Sequence, residues 1–353
     1  MNELIYNLWF DGLSIKKVDK VNILNTISPE EFYNCTAKDY IELGMDFNTL
    51  KIINKSKELE QYTKICEYLK REEIKFILYR DQIYPESLKN IYDPPVGLFI
   101  KGKLPDMENS IAIVGARKAT DYGKSVAYKF AYELASRGIV VVSGMARGID
   151  GCSHRGAVDA QGITAAVMGS GFNNIYPKEN INLFYDILGK GCVITEYLPD
   201  MPPLQKNFPE RNRIISGLSK YVLVVEAGEK SGSLITVDFA LEQGKTVLAV
   251  PGNIFSYGSV GTNKLIKDGA IPVSCIEDII EELQLPSLLK CGIEDSINEH
   301  EKIILDMLKS GGMNIEFILS NAGINSEYVL TTLSKLECKG LIKKMYGSYY
   351  ILC

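Results

Sequence analysis

The sequence predicts an α/β protein built on a mainly parallel sheet, on three observations. Between Ile111 and about Val273, short β-branched or apolar runs alternate with helix-length segments. Most of these runs end in a loop rich in glycine or small residues. Such alternation requires crossover helices between neighbouring parallel strands, with right-handed connections.

Residues 1–72 read as a small helical domain. Ile5, Leu8 and Trp9 share one helical face, and Ile65, Tyr68 and Leu69 another. Gly12-Leu13-Ser14 and Ser28-Pro29-Glu30-Glu31 have the residues of turns or helix starts. Nothing in this part suggests chemistry. A central domain, 73–285, opens with strand signals at Lys75–Tyr79 and Val96–Lys101, separated by the breaker Asp93-Pro94-Pro95. Ile111–Val114, Ile139–Val142, Thr164–Met168, Cys192–Glu196, Val222–Val225 and Thr246–Val250 are the further strands. Ser125 to Arg137 is helical, with Val126, Phe130 and Leu134 on one face and Gly138 ending it. Gly151–Ala160 is small enough to be a helix lying close on a sheet. Pro286–Ser296 reads as a linker. Residues 298–353 then give three amphipathic helices around Ile304, Ile318 and Leu333, and a two-stranded ribbon turning at Tyr346-Gly347-Ser348. That order suggests a winged helix.

The loops carry the chemistry. Ser143-Gly144-Met145-Ala146-Arg147-Gly148 follows a buried strand and precedes a helix. Glycines there let backbone N–H groups approach an anion, and the helix start adds a favourable field. A guanidinium beside them matches phosphate oxygens. By itself this is equally a plain strand-to-helix turn. The device recurs, however: Gly115-Ala116-Arg117, then Ser170-Gly171 with Tyr176-Pro177-Lys178-Glu179-Asn180, then Ser231-Gly232-Ser233 through Thr236. All follow strands, where open α/β sheets place ligands. Several such loops on one edge imply a ligand longer than one nucleotide.

At 46% hydrophobic the 353-residue chain can bury a sizeable core. No basic and apolar leader and no membrane-length apolar run is visible, so a cytoplasmic protein is expected. Eight scattered cysteines and two histidines make neither a disulfide framework nor a zinc site, so no metal is expected. The net charge of −5 argues against coating duplex DNA non-specifically but allows a local basic groove. The eight arginines are Arg71, Arg80, Arg117, Arg137, Arg147, Arg155, Arg211 and Arg213, and six of them fall between 117 and 213. Lysine serves elsewhere, so arginine stands where bidentate geometry would matter.

Taken in order, these motifs, together with Phe208-Pro209-Glu210-Arg211-Asn212-Arg213-Ile214-Ile215-Ser216-Gly217, Pro251-Gly252 and Gly261-Thr262-Asn263, resemble the bacterial DNA-processing protein A family (DprA, also called Smf) over nearly the whole chain. The resemblance implies an extended Rossmann-like core that binds single-stranded DNA, dimerises, and hands DNA to the recombinase RecA during natural transformation. It also implies a helical N-terminal domain of the SAM or helix-hairpin-helix kind. Ala116 stands where the family pattern suggests Ser or Thr.

Three functions follow as expectations. The first is a non-catalytic single-strand binder without cofactor. Its phosphate contacts would come from Gly115, Arg117, Ser143, Gly144, Arg147, Gly148, Ser170, Gly171, Lys178, Asn180, Arg211, Arg213, Ser231, Gly232, Ser233 and Thr236, with Tyr176 or Phe172 offering a stacking face. The second is a nucleotide-processing enzyme of the lysine-decarboxylase-like phosphoribohydrolase type. It is disfavoured because Phe239 stands three residues after Thr236, where that type carries a glutamate. Asp150 and His154, four apart on a helix, would be its only acid–base couple. The third is a transcription regulator. It is disfavoured because Asn325-Ser326-Glu327-Tyr328 at the recognition-helix start carries no cation.

Overall fold

The computed structural model describes residues 2–283, 298–309, 311–338, 341–345 and 348–352. The chain falls into two units, Met1–Leu285 and Pro286–Cys353. The expected linker Pro286–Ser296, the helix-ending Gly340 and the Tyr346-Gly347 turn lie outside the described residues.

The first unit begins with six helices: α1 (Asn2–Gly12), α2 (Lys17–Leu24), α3 (Pro29–Asn34), α4 (Ala37–Glu42), α5 (Phe47–Lys55) and α6 (Glu60–Arg71). Short helices need caps because their end groups outnumber their internal hydrogen bonds. Ser28 and Glu31 form a reciprocal capping box on α3, Thr36 and Asp39 another on α4, and Asp46 accepts from the Thr49 N–H on α5. Behind them Phe32 meets Phe10 and Tyr40 edge to face and Trp9 at a tilt. This aromatic core runs on into Phe99, Phe184 and Val193 of the sheet region. The helices therefore share a hydrophobic core with the domain that follows.

That domain is a nine-stranded sheet. Its strands are β1 (Ile74–Leu78), β2 (Gly97–Gly102), β3 (Ser110–Val114), β4 (Val140–Ser143), β5 (Thr164–Val167), β6 (Cys192–Thr195), β7 (Tyr221–Val224), β8 (Thr246–Ala249) and β9 (Ile271–Pro272), in the order β1-β2-β6-β5-β4-β3-β7-β8-β9. The six pairings from β6 through β9 are parallel, and β1 and β2 add an antiparallel edge. Strands β3 to β7 are fully buried, which suits their unbroken apolar sequences. The connecting helices are α7 (Glu86–Lys89), α8 (Asp121–Ser136), α9 (Ile149–Asp159), α10 (Ile181–Leu188), α11 (Asn207–Gly217), α12 (Gly232–Glu242), α13 (Val260–Lys267) and α14 (Ile276–Glu282). One face of the sheet packs Ala127, Phe130 and Leu134 of α8, Ala157 of α9 and Ile279 of α14. The other packs Ile214 and Ile215 of α11 and Val237 and Ala240 of α12. The result is the expected α/β fold with a large, mostly parallel sheet.

Helix α8 starts four residues before the expected Ser125. The cause is Thr120, whose hydroxyl accepts from the Gly123 N–H at 3.1 Å and supplies the N-cap.

Among the described residues of the second unit, α15 (Glu299–Leu308), α16 (Ile315–Asn321) and α17 (Ser326–Cys338) surround Ile304, Ile318, Val329, Leu333 and Leu336. A three-stranded antiparallel sheet joins β10 (Met313–Asn314), β12 (Tyr349–Leu352) and β11 (Ile342–Met345) in that order.

Candidate functional site

Strand order reverses between β3 and β7: the chain first fills β4, β5 and β6 on one side, then returns to add β7 and β8 on the other. Open α/β sheets bind ligands at such a switch point, beyond the strand C-termini. A cavity of about 710 Å³ lies there. Its walls are the 114–120 loop after β3, the 228–236 segment entering α12, the 256–258 turn, and Gln205 through Ile215 on and before α11.

The 115–120 loop is held from two sides. From β7, the Glu226 carbonyl accepts the Ala116 N–H at 2.8 Å, and its buried carboxylate accepts the Thr120 N–H at 2.9 Å and hydroxyl at 2.5 Å. From β4, Gly148 has φ +75 and presses its backbone on the Ala116 and Arg117 carbonyls, where a side chain would collide. Both the dihedral and the closeness require glycine. The Arg117 side chain is exposed, with its guanidinium carbon 5.1 Å from the centre of the Phe208 ring. That is a cation–π distance. The Tyr176 ring, 38% exposed, lies 5.5 Å from the same Phe208 ring. One aromatic row with a cation above it thus flanks the cavity.

Opposite, Ser231 caps α12, accepting from the Ser233 N–H at 3.4 Å. Gly232 has open space where a side chain would be. The N-terminal end of α12 therefore faces the cavity, with the Ser233 and Leu234 N–H groups held by Ser231 and the Gly232 backbone uncovered. Lys118 and Lys230 are exposed on the two facing walls.

Of the expected residues, the structure brings Gly115, Arg117, Arg211, Ser231, Gly232, Ser233 and Thr236 to the cavity wall. Arg211 is 3% exposed and donates to the Gly144 and Val167 carbonyls. Burial lowers its pKa to about 10, leaving it charged at neutral pH, while desolvation raises the neighbouring Asp150 carboxyl against the pull of that guanidinium. It serves as a fixed positive charge under the cavity floor. Gly144 makes room for this pair, since a Cβ there would strike both side chains.

The Tyr176–Asn180 loop forms a neighbouring rim. Asn180 donates to the Met145 carbonyl at 2.9 Å and ties this rim to the 144–148 loop. Lys178 is exposed. Arg147 is exposed but paired with Glu179 at 2.6 Å.

Other expected residues face inward. Ser143 is fully buried and donates to the Ile113 carbonyl at 2.6 Å. Ser170 donates to the Asn174 carbonyl at 2.7 Å, and Gly171 packs beneath the Leu198 and Pro199 carbonyls. Arg213 needs correction as a phosphate contact. It is 4% exposed and bound to Glu196 at 2.6 Å and Asp93 at 3.1 Å, because residues two apart on a helix cannot share a face. Phe172 is buried against Phe184, not a stacking face. His154 lies within the fold: its Nδ1–H donates to the Thr164 hydroxyl, which donates on to the Val141 carbonyl, so Asp150 and His154 form no couple. Burial pushes its pKa down to about 3.

Sequence reasoning passed over Lys118, Glu226 and Tyr257. Lys118 follows Arg117 directly, and Glu226 is an acidic residue at the end of an apolar strand, an anomaly visible in the sequence. Tyr257 carried no such signal.

This architecture defines a class: a doubly wound α/β protein with a cleft at its switch point, lined by Arg117, Phe208 and the N-terminal turn of α12. The particular membership follows from comparison. Residues 75–284 match the family described as DNA recombination-mediator protein A. Protein Smf of Escherichia coli (strain K12) is 40% identical over 279 residues, 76% of this chain and 75% of that protein. The X-ray structure of DNA processing protein A from Streptococcus pneumoniae superposes with TM-score 0.65 at 33% identity, covering 81% of this chain and 99% of that one. A structure of DNA processing protein A from Helicobacter pylori, whose subject is its single-stranded DNA binding mode, gives TM-score 0.55 at 29% identity over 60% of this chain and 96% of that one. The chain belongs to the DNA recombination-mediator protein A family.

Proposed function

We propose that the cleft binds single-stranded DNA and that the protein acts without catalysis, holding the strand and passing it to the RecA recombinase, as a cytoplasmic homodimer. The observation that carries this is the exposed Arg117 guanidinium over the Phe208–Tyr176 aromatic row, facing the open first turn of α12. Cation, N–H groups and ring faces suit a chain of alternating phosphates and bases. Arg117, Lys118, Lys178 and Lys230 would meet phosphates, with the Gly115 and Gly232 backbone beside them. Arg211 would add field from below, and Arg147 would join once released from Glu179. The H. pylori relative's single-strand binding mode supports the same reading.

An enzymatic role finds no support in the residues, since Phe239 stands where the hydrolase acid would be and His154 is bound to Thr164. No helix among the described residues is long and apolar enough to cross a membrane. The helix–strand–helix–helix–hairpin order of the second unit suits a winged helix, which would serve as an auxiliary or protein-contact module.

The test is a titration of the protein against labelled single-stranded and duplex oligonucleotides at matched salt. Clearly tighter single-strand binding with little sequence preference is expected; equal affinity for duplex would refute the reading.

A further inference from the structure

The loop after β8 presents an exposed apolar tip. Ile254 is 77% exposed and Phe255 91%. Adjacent in sequence and both turned to water, with Tyr257 70% exposed beside them, they form a contiguous apolar surface of the kind that marks an interaction site. The tip is also held in place. At its start, Asn263 binds both backbone groups of Gly252, at 3.1 and 3.0 Å. At its apex, the Asn253 side chain accepts the Phe255 N–H at 2.9 Å, and the Asn253 carbonyl accepts the Ser256 N–H at 2.9 Å. At its end, the Tyr257 ring occupies the space a side chain on Gly228 would take, and Tyr257 lines the cleft. The tip is therefore a fixed extension of the cleft wall.

Charge narrows the choice of occupant. Pro251 to Val260 contains no charged residue, while the cleft beside it carries Arg117, Lys118 and Lys230. A phosphate has nothing to meet on the tip; an uncharged planar group has. A second copy of the chain is a poorer fit, because a stable interface buries about 1,200 Å² or more and two projecting side chains cover only a fraction of that. We propose that the Ile254–Phe255 tip is a base-docking platform: Phe255 stacks on a nucleobase of the strand whose phosphates the cleft holds. This rests on the reading of the cleft as a single-strand site. The loop's fixed geometry means that little freedom is lost when a base docks.

The experiment measures fluorescence anisotropy of a thymidylate strand of about 20 nucleotides, long enough to overrun the cleft. An abasic strand of equal length is measured alongside, with wild type, Phe255→Ala, Phe255→Trp and Arg117→Ala. Phe255→Ala is expected to weaken thymidylate binding about tenfold, the scale of one lost stack, and to leave abasic-strand affinity and salt dependence unchanged. Phe255→Trp should bind at least as well as wild type. Unchanged thymidylate affinity in Phe255→Ala overturns the proposal while leaving the cleft intact, provided Arg117→Ala still weakens both strands. A drop in self-association by light scattering for Phe255→Ala, with base-independent loss of DNA affinity, makes a second copy the occupant and also overturns it. If wild type binds neither strand, the cleft reading falls and the platform falls with it.

Discussion

Replacing Arg117 with alanine removes an exposed cation that has no salt-bridge partner among the described residues, so a phosphate bound there would cost no broken ion pair. Each phosphate neutralised on a single strand contributes roughly 0.7 to the slope of log K against log salt. Between 50 and 200 mM salt, wild-type affinity should therefore fall about 2.6-fold more than that of Arg117→Ala. Loss of the 5.1 Å contact with Phe208 adds a salt-independent weakening of about 0.5–1 kcal/mol if the ring's stacking position loosens. The assay is anisotropy of a labelled thymidylate strand at four or more salt concentrations, with thermal melts to confirm the fold. Arg137→Ala is the control: its guanidinium is bound to Glu133 at the C-terminal end of α8, away from the 115–120 loop at that helix's start, and its slope should equal wild type. A folded Arg117→Ala protein with wild-type affinity and slope would remove this loop from the DNA site.

Three further outcomes are expected. Arg213→Ala leaves the buried Glu196 and the part-exposed Asp93 with Lys17 as their one remaining cation and should destabilise the fold in denaturant melts, by less than the about 3–5 kcal/mol of a buried charge left with no partner, while salt slopes measured on the folded protein stay as in wild type. Gly148→Ala combines a strained φ of +75 with a clash on the Ala116 carbonyl, and should cost stability and weaken single-strand binding together; a variant as stable and tight as wild type would show the loop to be pliable. His154 is held neutral in the fold, with a pKa of about 3 against about 6.5 unfolded, so the unfolded chain binds the extra proton. Its contribution is fully present above about pH 6.5 and is lost as pH falls, by about 3 kcal/mol at pH 4, and melts of His154→Asn should show a flatter acid limb than wild type.

The parallel core was legible because buried parallel strands are unbroken apolar runs, and Ile111–Val114 or Val222–Val225 read as nothing else. The glycine loops were legible for a related reason: Gly144 and Gly148 mark places where backbone lies too close to its neighbours for a side chain. Less legible was which way a side chain turns. Arg211 and Arg213 look alike in sequence, yet one lies beneath the cleft and the other in an ion cluster, since that depends on the rotation of α11 against the sheet. Tyr176 and Phe172 likewise both follow a glycine loop, and only the packing of α10 decides that Phe172 meets Phe184. The sharing of a core between the N-terminal helices and the sheet was invisible, because amphipathic periodicity shows that a face is buried but not against what.

The ion cluster around Arg213 bears on how this chain can be taken apart. Two carboxylates, Asp93 and Glu196, meet two cations, and one of those cations, Lys17, comes from α2 at 3.2 and 3.1 Å. The sheet domain by itself is thus one positive charge short at that place. A graft that exchanged the N-terminal helices for another module would have to bring a lysine or arginine to the same spot, or neutralise a carboxylate in compensation. Arg213 shares α11 with Arg211 and Phe208, so a mismatch at that seam would be felt by the helix that carries five of the cleft's lining residues. The N-terminal helices are in this sense a fitted part of the core, not an interchangeable attachment.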